Sequence, residues 1–212
     1  MTNTDGFFKI ITLGDSSVGK TSIIKRYTNN IFEEETLPTV GIGFSFKEVT
    51  LENGTKIKIK LIDTAGQEKY NSLSKSYYKN AEGVLFVFAY DNKDSFDHVE
   101  KWLESFKKNC GKEDIPFFLV GNKIDLVEKK KVDDKSIDDL KNRINIKDFV
   151  QTSAKENKGI EDLFSQLSEK LYEYKEKHPE KRQENQQLDN YEKNVKERKE
   201  KRKKICGCKG SY

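Results

Sequence analysis

The chain has 212 residues, 34% of them apolar and 36% charged, which is enough for one domain of ordinary size with a core and something left over. Residues 176–212 hold 12 Lys or Arg against 7 Asp or Glu, so in a chain of net charge +4 the first 175 residues are nearly neutral and the tail is basic. No apolar run reaches the ~18–20 residues of a membrane span, no basic-then-apolar leader opens the chain, and three cysteines with two histidines allow neither a disulfide framework nor a full zinc ligand set. These features lead to the expectation of a protein kept on the cytosolic side.

In chain order, Phe7 to Leu13 reads as a strand, and Thr21 to Tyr27 begins a helix. A polar stretch from Asn29 to Val40 follows, too long for a simple turn. Phe44 to Leu51 and Lys56 to Ile62 alternate with period two around Asn53-Gly54, which predicts an antiparallel hairpin closed by a tight type I′ turn. Gly83 to Ala89 and Pro116 to Gly121 are apolar on both faces, as buried parallel strands are. One helical stripe runs through Phe96, Val99, Trp102, Leu103 and Phe106, and another through Ile160, Leu163, Phe164, Leu167 and Leu171. Strands alternating with helices predict an α/β fold: a six-stranded, mostly parallel sheet with one antiparallel edge strand and helices on both faces.

Such sheets bind ligands beyond the carboxyl ends of their strands, and the chemically distinctive residues fall there. After the first strand comes Gly14-Asp15-Ser16-Ser17-Val18-Gly19-Lys20-Thr21, the G-x-x-x-x-G-K-[ST] pattern of a phosphate-binding loop. Its glycines let successive backbone N–H groups curl toward phosphate oxygens, Lys20 adds a point charge, and the Thr21 hydroxyl suits Mg²⁺. Ser16, Ser17, Val18, Gly19, Lys20, Thr21 and Ser22 are the expected cradle, at a helix N-terminus whose dipole favours an anion. Asp63-Thr64-Ala65-Gly66-Gln67-Glu68 follows the third strand. Asp63 is placed to reach Mg²⁺ through water, the Gly66 N–H to meet the γ-phosphate, and Gln67 to orient an attacking water. Asn122-Lys123-Ile124-Asp125 follows the fifth strand. One carboxylate at Asp125 accepts both the N1–H and the exocyclic amine of guanine, a pair adenine does not offer. Asn122 ties that loop to the phosphate loop. Ser153-Ala154-Lys155 follows the last short strand, where the Ala154 N–H suits the guanine O6.

With those motifs in place, residues 6–175 resemble the small Ras-like GTPases, a P-loop NTPase G domain, and within them the Rab family. Ser76-Tyr77-Tyr78-Lys79-Asn80-Ala81 is similar to the Rab S-Y-Y-R-G-A stretch, and Trp102-Leu103 to the tryptophan of the Rab third helix. The resemblance implies that Thr39 meets Mg²⁺ and the γ-phosphate, that Phe32 packs against guanine, and that Lys123 covers the base from the other side. It implies GTP and GDP as ligands with Mg²⁺, slow GTP hydrolysis using Gln67 and Lys20, and metal held by Thr21, Thr39 and Asp63. No arginine stands at an obvious catalytic position, so an activating partner supplies the charge. Two departures fall in stretches that face partners: Ile62 replaces the usual Trp, and Gly43 the usual Asp.

The resemblance divides the chain into a G domain over 1–175 and a charged tail over 176–212. Lys196 to Lys204 holds seven basic residues against two acidic, and Cys206-Gly207-Cys208 resembles the Rab cysteine pair that receives two geranylgeranyl groups. A basic patch with lipid gives stable attachment to an anionic leaflet. Lys209 at the place where a C-a-a-X box needs Cys excludes that route. The implied protein is a monomeric switch in vesicle trafficking on the cytosolic face of an intracellular membrane, cycling with the cytosol. It would meet an exchange factor, an activating protein, a GDP-dissociation inhibitor and effectors through residues 36–46 and 64–80, and no nucleic acid. A soluble Ras-like signalling GTPase and a GTP-binding scaffold with weak hydrolysis stand as alternatives, and a P-loop ATPase would leave Asn122, Asp125 and Ala154 idle.

Overall fold

The computed structural model describes residues 7–34, 37–39, 41–66, 77–111 and 114–178. Within them, six strands form one sheet: β1 (Phe7–Leu13), β2 (Ile42–Thr50), β3 (Lys56–Thr64), β4 (Gly83–Ala89), β5 (Phe117–Asn122) and β6 (Phe149–Thr152). The spatial order is β2-β3-β1-β4-β5-β6. Every neighbouring pair is parallel except β2 with β3, where Phe44 lies opposite Ile62 and Phe46 opposite Lys60. The helices are α1 (Lys20–Asn29), α2 (Lys93–Asp97), α3 (Val99–Cys110), α4 (Asp134–Ile144) and α5 (Ile160–Lys177).

Period-two alternation in β1 sends Ile10 to one core and Ile11 to the other. The first core gathers Ile10, Ile24, Leu85, Phe164 and Leu167 between the sheet, α1 and α5. The second gathers Ile11, Phe86, Trp102, Phe106 and Leu140 beneath α2, α3 and α4. The i, i+3, i+4 stripe of α5 buries Ile160, Leu163, Phe164, Leu167 and Leu171. Phe164 stacks on Tyr27 of α1 with ring centroids 3.7 Å apart and planes 11° from parallel. Burial of the Tyr27 phenol, with Glu161 nearby, pushes its titration well above the usual tyrosine range. Helix α4 starts where the Asp133 side chain accepts the Ser136 N–H at 2.8 Å, an N-cap that satisfies one orphan donor of the first turn.

Two details differ from expectation. The hairpin turn is not type I′, which needs left-handed backbone at both central residues. Gly54 alone has positive φ there (81°), its N–H donates to the Leu51 carbonyl at 2.9 Å, and the Leu51 N–H donates to Thr55 at 2.8 Å. That makes a three-residue loop in which the Asn53 side chain accepts from the Thr55 N–H at 2.9 Å instead of visiting the left-handed region. The stripe through Phe96 and Phe106 is also interrupted, because α2 ends at Asp97 and α3 begins at Val99 around His98. Among the described residues no helix is long and apolar enough to cross a membrane.

Positions follow from this topology. β1 is central, the chain runs from it toward β3 on one side, and β4 flanks the other side. Beyond its carboxyl end the connections diverge and open a crevice, where the first loop sits.

Candidate functional site

After Leu13 the chain turns through residues 14–19 into α1. Gly19 is the N-cap with φ 95°, and a Cβ there would lie 2.3 Å from Asn122 Nδ2, so only glycine fits. No side chain caps the first turn of α1, and no acidic residue sits in it, so its N–H groups and dipole remain for an anion. The Lys20 side chain is buried and its Nζ donates to the Gly14 carbonyl at 2.8 Å and the Asp15 carbonyl at 2.7 Å. Burial drives the ammonium down to about 8, against the opposing pull of the Asp63 and Asp15 carboxylates.

Beside it three oxygens converge. The Thr21 hydroxyl donates to Asp63 Oδ2 at 2.6 Å and lies 2.8 Å from the Thr39 hydroxyl. Since Thr21 carries one O–H, Thr39 is the donor of that second bond. Asp63 is the penultimate residue of strand β3, and burial pushes its carboxyl up, opposed by the Thr21 hydroxyl and by Lys20 and Lys25. Its other oxygen, Oδ1, is buried with no hydrogen-bond partner among the described residues. A hydroxyl pair with an incompletely satisfied carboxylate is a set of hard oxygen donors, and it fits Mg²⁺. Gly66 lies against the phosphate-loop backbone, where a Cβ would come within 2.2 Å of the Ser16 nitrogen.

The far end is built from β5 and β6. Asn122, the last residue of β5, donates from Nδ2 to the Val18 carbonyl at 2.8 Å. Its Oδ1 accepts from the Thr152 hydroxyl at 3.1 Å and from the Ala154 N–H at 3.4 Å. Ser153 Oγ donates to Asp125 Oδ1 at 2.6 Å. Lys123 adopts φ 66° and its Nζ donates to Asp91 at 3.2 Å. Phe32 packs partly buried against the first core, with the Arg26 guanidinium carbon 5.9 Å from its ring centroid. Lys155 bridges to Glu34 at 2.7 Å, and that hydrogen bond holds the Glu34 carboxyl below the usual carboxylate range.

All of this encloses a cleft of about 750 Å³. Of the residues expected to bind nucleotide, all line it except Val18 and Ser153, which are fully buried behind it. Gln67, Cys206 and Cys208 lie outside the described residues.

Sequence reasoning missed two anchors. The Asp15 carboxylate turns away from the cleft, accepting from Trp102 Nε1 at 2.8 Å and lying 2.7 Å from His98 Nδ1. Arg26 reaches the Ala154 and Lys155 carbonyls. The tryptophan was visible as a helical core residue, but nothing in the sequence pairs it with a residue 87 positions away.

A Ras family model matches residues 9–173. Among curated proteins the chain is 40% identical over 168 residues to Ras-related protein Rab-11B of Dictyostelium discoideum, covering 79% of this chain and 75% of that protein. It is 38% identical to Ras-related protein Rab-39A of Mus musculus, covering 78% of each. It is 37% identical to Ras-related protein Rab-18 of Lymnaea stagnalis, covering 77% of this chain and 79% of that one. With the phosphate loop, the oxygen cluster and the Asn122–Asp125 loop gathered in one cleft, the chain belongs to the Ras family, and within it is a Rab-like small GTPase.

Proposed function

We propose that the cleft holds GTP or GDP with Mg²⁺, that Lys20 and Gln67 serve the hydrolysis of GTP to GDP and phosphate, and that the nucleotide state switches this chain's partners in vesicle trafficking. The observation that carries this reading is the buried Lys20 ammonium, which carbonyl oxygens hold at the uncapped start of α1. A cation placed there at an energetic cost is a seat for phosphate.

Phosphoryl transfer needs positioning and charge neutralisation more than covalent chemistry. Lys20 takes developing negative charge on the phosphate. Thr21 and Thr39 would hold the metal, with Asp63 reaching it through water, and Mg²⁺ when bound would supply positive charge to the phosphate oxygens. Gln67 aligns the attacking water. The base lies toward Asn122, Lys123 and Asp125, with Phe32 on one side and Ser153, Ala154 and Lys155 closing the pocket. Asp125 keeps the acceptor capacity to discriminate, since the Ser153 hydroxyl takes one lone-pair site on Oδ1 and leaves the other sites of both oxygens for the N1–H and amine of guanine. Loss of the γ-phosphate releases Thr39 and Gly66, and the loops around them carry the signal.

Exchange factors, activating proteins, GDP-dissociation inhibitors and effectors act on Rab proteins in general. On this chain they meet residues 36–46 and 64–80. The described part of that surface exposes Phe44, with Tyr77 at 5.6 Å between ring centroids and Lys60 Nζ 4.8 Å from the Phe44 centroid. The G domain ends near residue 175, and residues 176–212 form a basic tail that carries lipid on Cys206 and Cys208 to an intracellular membrane.

GTP displaces a bound fluorescent GDP and ATP at a hundredfold higher concentration does not. Asp125→Asn replaces a double acceptor by a donor and an acceptor, which matches the 2-oxo group and N1–H of xanthine. That variant exchanges GDP for xanthosine diphosphate, and a retained guanine preference in it overturns the role of Asp125.

The free Lys20 ammonium loses its proton near pH 8, while a bound polyphosphate stabilises the charged form. GDP binding therefore takes up a proton above pH 8, and the affinity falls as pH rises from 8 to 9.5, by up to about tenfold per unit. Titration calorimetry in buffers of different ionisation enthalpy reads that uptake, and Lys20→Met abolishes it. A pH-independent affinity across that window contradicts the assignment.

Gln67→Leu retains GTP binding and loses activator-stimulated turnover, a stimulation of roughly 10³–10⁵ in this class of enzyme. Stimulated turnover equal to wild type removes Gln67 from the mechanism. The intact mass of the protein from the membrane fraction of its own cells carries two isoprenoid additions. An unmodified C-terminus in both membrane and soluble fractions moves the chain to the soluble signalling reading.

A further inference from the structure

Helix α1 begins at the phosphate end of the cleft with Lys20 and Thr21 and runs toward the base end, where Asn30 and Phe32 follow it. Arg26 lies six residues along, about 9 Å by the helical rise. Its Nε donates to the Ala154 carbonyl at 2.8 Å and its Nη2 to the Lys155 carbonyl at 3.2 Å. Its Nη1 donates to the carbonyl and the side-chain oxygen of Asn30, both at 3.0 Å. These four acceptors are uncharged oxygens, which one planar fork of five N–H groups spans and an ammonium does not.

Besides the Lys155–Glu34 bridge and the burial of Ala154 in the first core, the segment it grips is anchored by its flanks. Ser153 exchanges two backbone bonds of 3.0 Å with Lys158, and the Glu156 N–H donates to Ser153 Oγ at 3.0 Å. Between those anchors the Ala154 and Lys155 carbonyls face Arg26. The Ala154 N–H, on the other side of the same residue, makes a long 3.4 Å bond to Asn122. That N–H shares its peptide plane with the Ser153 carbonyl, which Lys158 holds, while the guanidinium holds the plane on the other side of the Ala154 Cα, so the two grips together fix the direction of the N–H.

We propose that Arg26 is a positioning residue for guanine recognition: it aims the Ala154 N–H at the 6-oxo group and couples the base loop to the helix that starts at the phosphates. The proposal rests on the reading that Ala154 meets O6, and deepens it. Arg26 touches neither base nor phosphate, so its effect falls on how tightly the 6-position is read and not on the phosphoryl step. A donor displaced by a fraction of an ångström loses most of a hydrogen bond's worth.

The test compares release of GDP, 6-thio-GDP and IDP from full-length wild type, Arg26→Gln and Arg26→Lys, each loaded with Mg²⁺. Sulfur at position 6 accepts hydrogen bonds weakly while keeping the N1–H and amine that Asp125 reads; IDP keeps the 6-oxo group and lacks the amine. Arg26→Gln speeds GDP release about tenfold, the worth of one good hydrogen bond, and speeds 6-thio-GDP release less than twofold. Arg26→Lys, which keeps charge and stem and safeguards folding, falls between. The preference for GDP over IDP is unchanged in both variants, and so is single-turnover hydrolysis of preloaded GTP.

Equal acceleration of all three nucleotides reveals a merely structural arginine and overturns the proposal, as does unchanged GDP release. Wild type that holds GDP and 6-thio-GDP equally, while still preferring GDP to IDP, overturns the Ala154 reading and the proposal with it. That outcome is distinguishable because it appears without any substitution at Arg26.

Discussion

A buried ammonium with no carboxylate in hydrogen-bond contact among the described residues is the constraint on which the rest of this site depends. Lys20 is 5% exposed, and its two hydrogen bonds go to backbone carbonyls. Carbonyl dipoles offset part of the desolvation cost and the carboxylates of Asp63 and Asp15 part of the remainder, yet burial still prevails and lowers the group to about 8. The phosphate loop contains an acid next to its first glycine, and a direct ion pair between Asp15 and Lys20 would remove the cost. The fold prevents it. Trp102 and His98, both from the region of α3, hold the Asp15 carboxylate, so Asp15 offers Lys20 only its carbonyl. On the proposed reading that charge is what a bound phosphate meets, and Trp102 with His98 keeps the Asp15 carboxylate from it.

The same loop is braced from two further directions. Asn122 Nδ2 binds the Val18 carbonyl and ties the base side to the phosphate side across 104 residues of sequence. Gly66 rests so close to the Asp15–Ser16 peptide that any side chain there would overlap it. On the proposed reading, this contact is where a change of the loop's occupant would be passed to the segment after β3. Thr39 belongs to the same linkage through its hydroxyl bond to Thr21. Each brace joins an element that follows one strand to an element that follows another, so the sheet holds them in register.

What was legible in the sequence was what depends on local pattern or on chemistry concentrated at strand ends. The six strands, the antiparallel edge and the motif positions follow from periodicity and from the rule about carboxyl ends. Asp63 proves to be the penultimate residue of β3 and Asn122 the last of β5, neither the first residue after its strand, because the ladder extends as far as partners continue: Thr64 still pairs with Ile42, and Asn122 with Thr152. The hairpin turn was misread because Asn53-Gly54 is compatible with two loop lengths, and register across β2 and β3 decides between them. Arg26 and Asp15 were opaque for a different reason. Their partners lie 128 and 87 residues away, and a side chain gripping a distant carbonyl leaves no spacing to read.

The β2–β3 edge departs from the Rab pattern at a core position. Ile62, where Rab proteins usually carry tryptophan, is 1% exposed and lies opposite Phe44 on the neighbouring strand. An aliphatic side chain of that size fills the second core and stops below the surface, so it adds nothing to the outer face. The aromatic surface shifts accordingly: Phe44 and Phe46 are 44% and 50% exposed, Phe7 meets Phe46 edge-on at 5.2 Å, and Lys60 stands over Phe44. Cross-strand register places Lys60 opposite Phe46 and Lys58 opposite Glu48, so lysines interleave with the phenylalanines on one face. The described edge thus sets phenylalanines beside lysines on one face, and Glu48, opposite Lys58, offsets part of that charge.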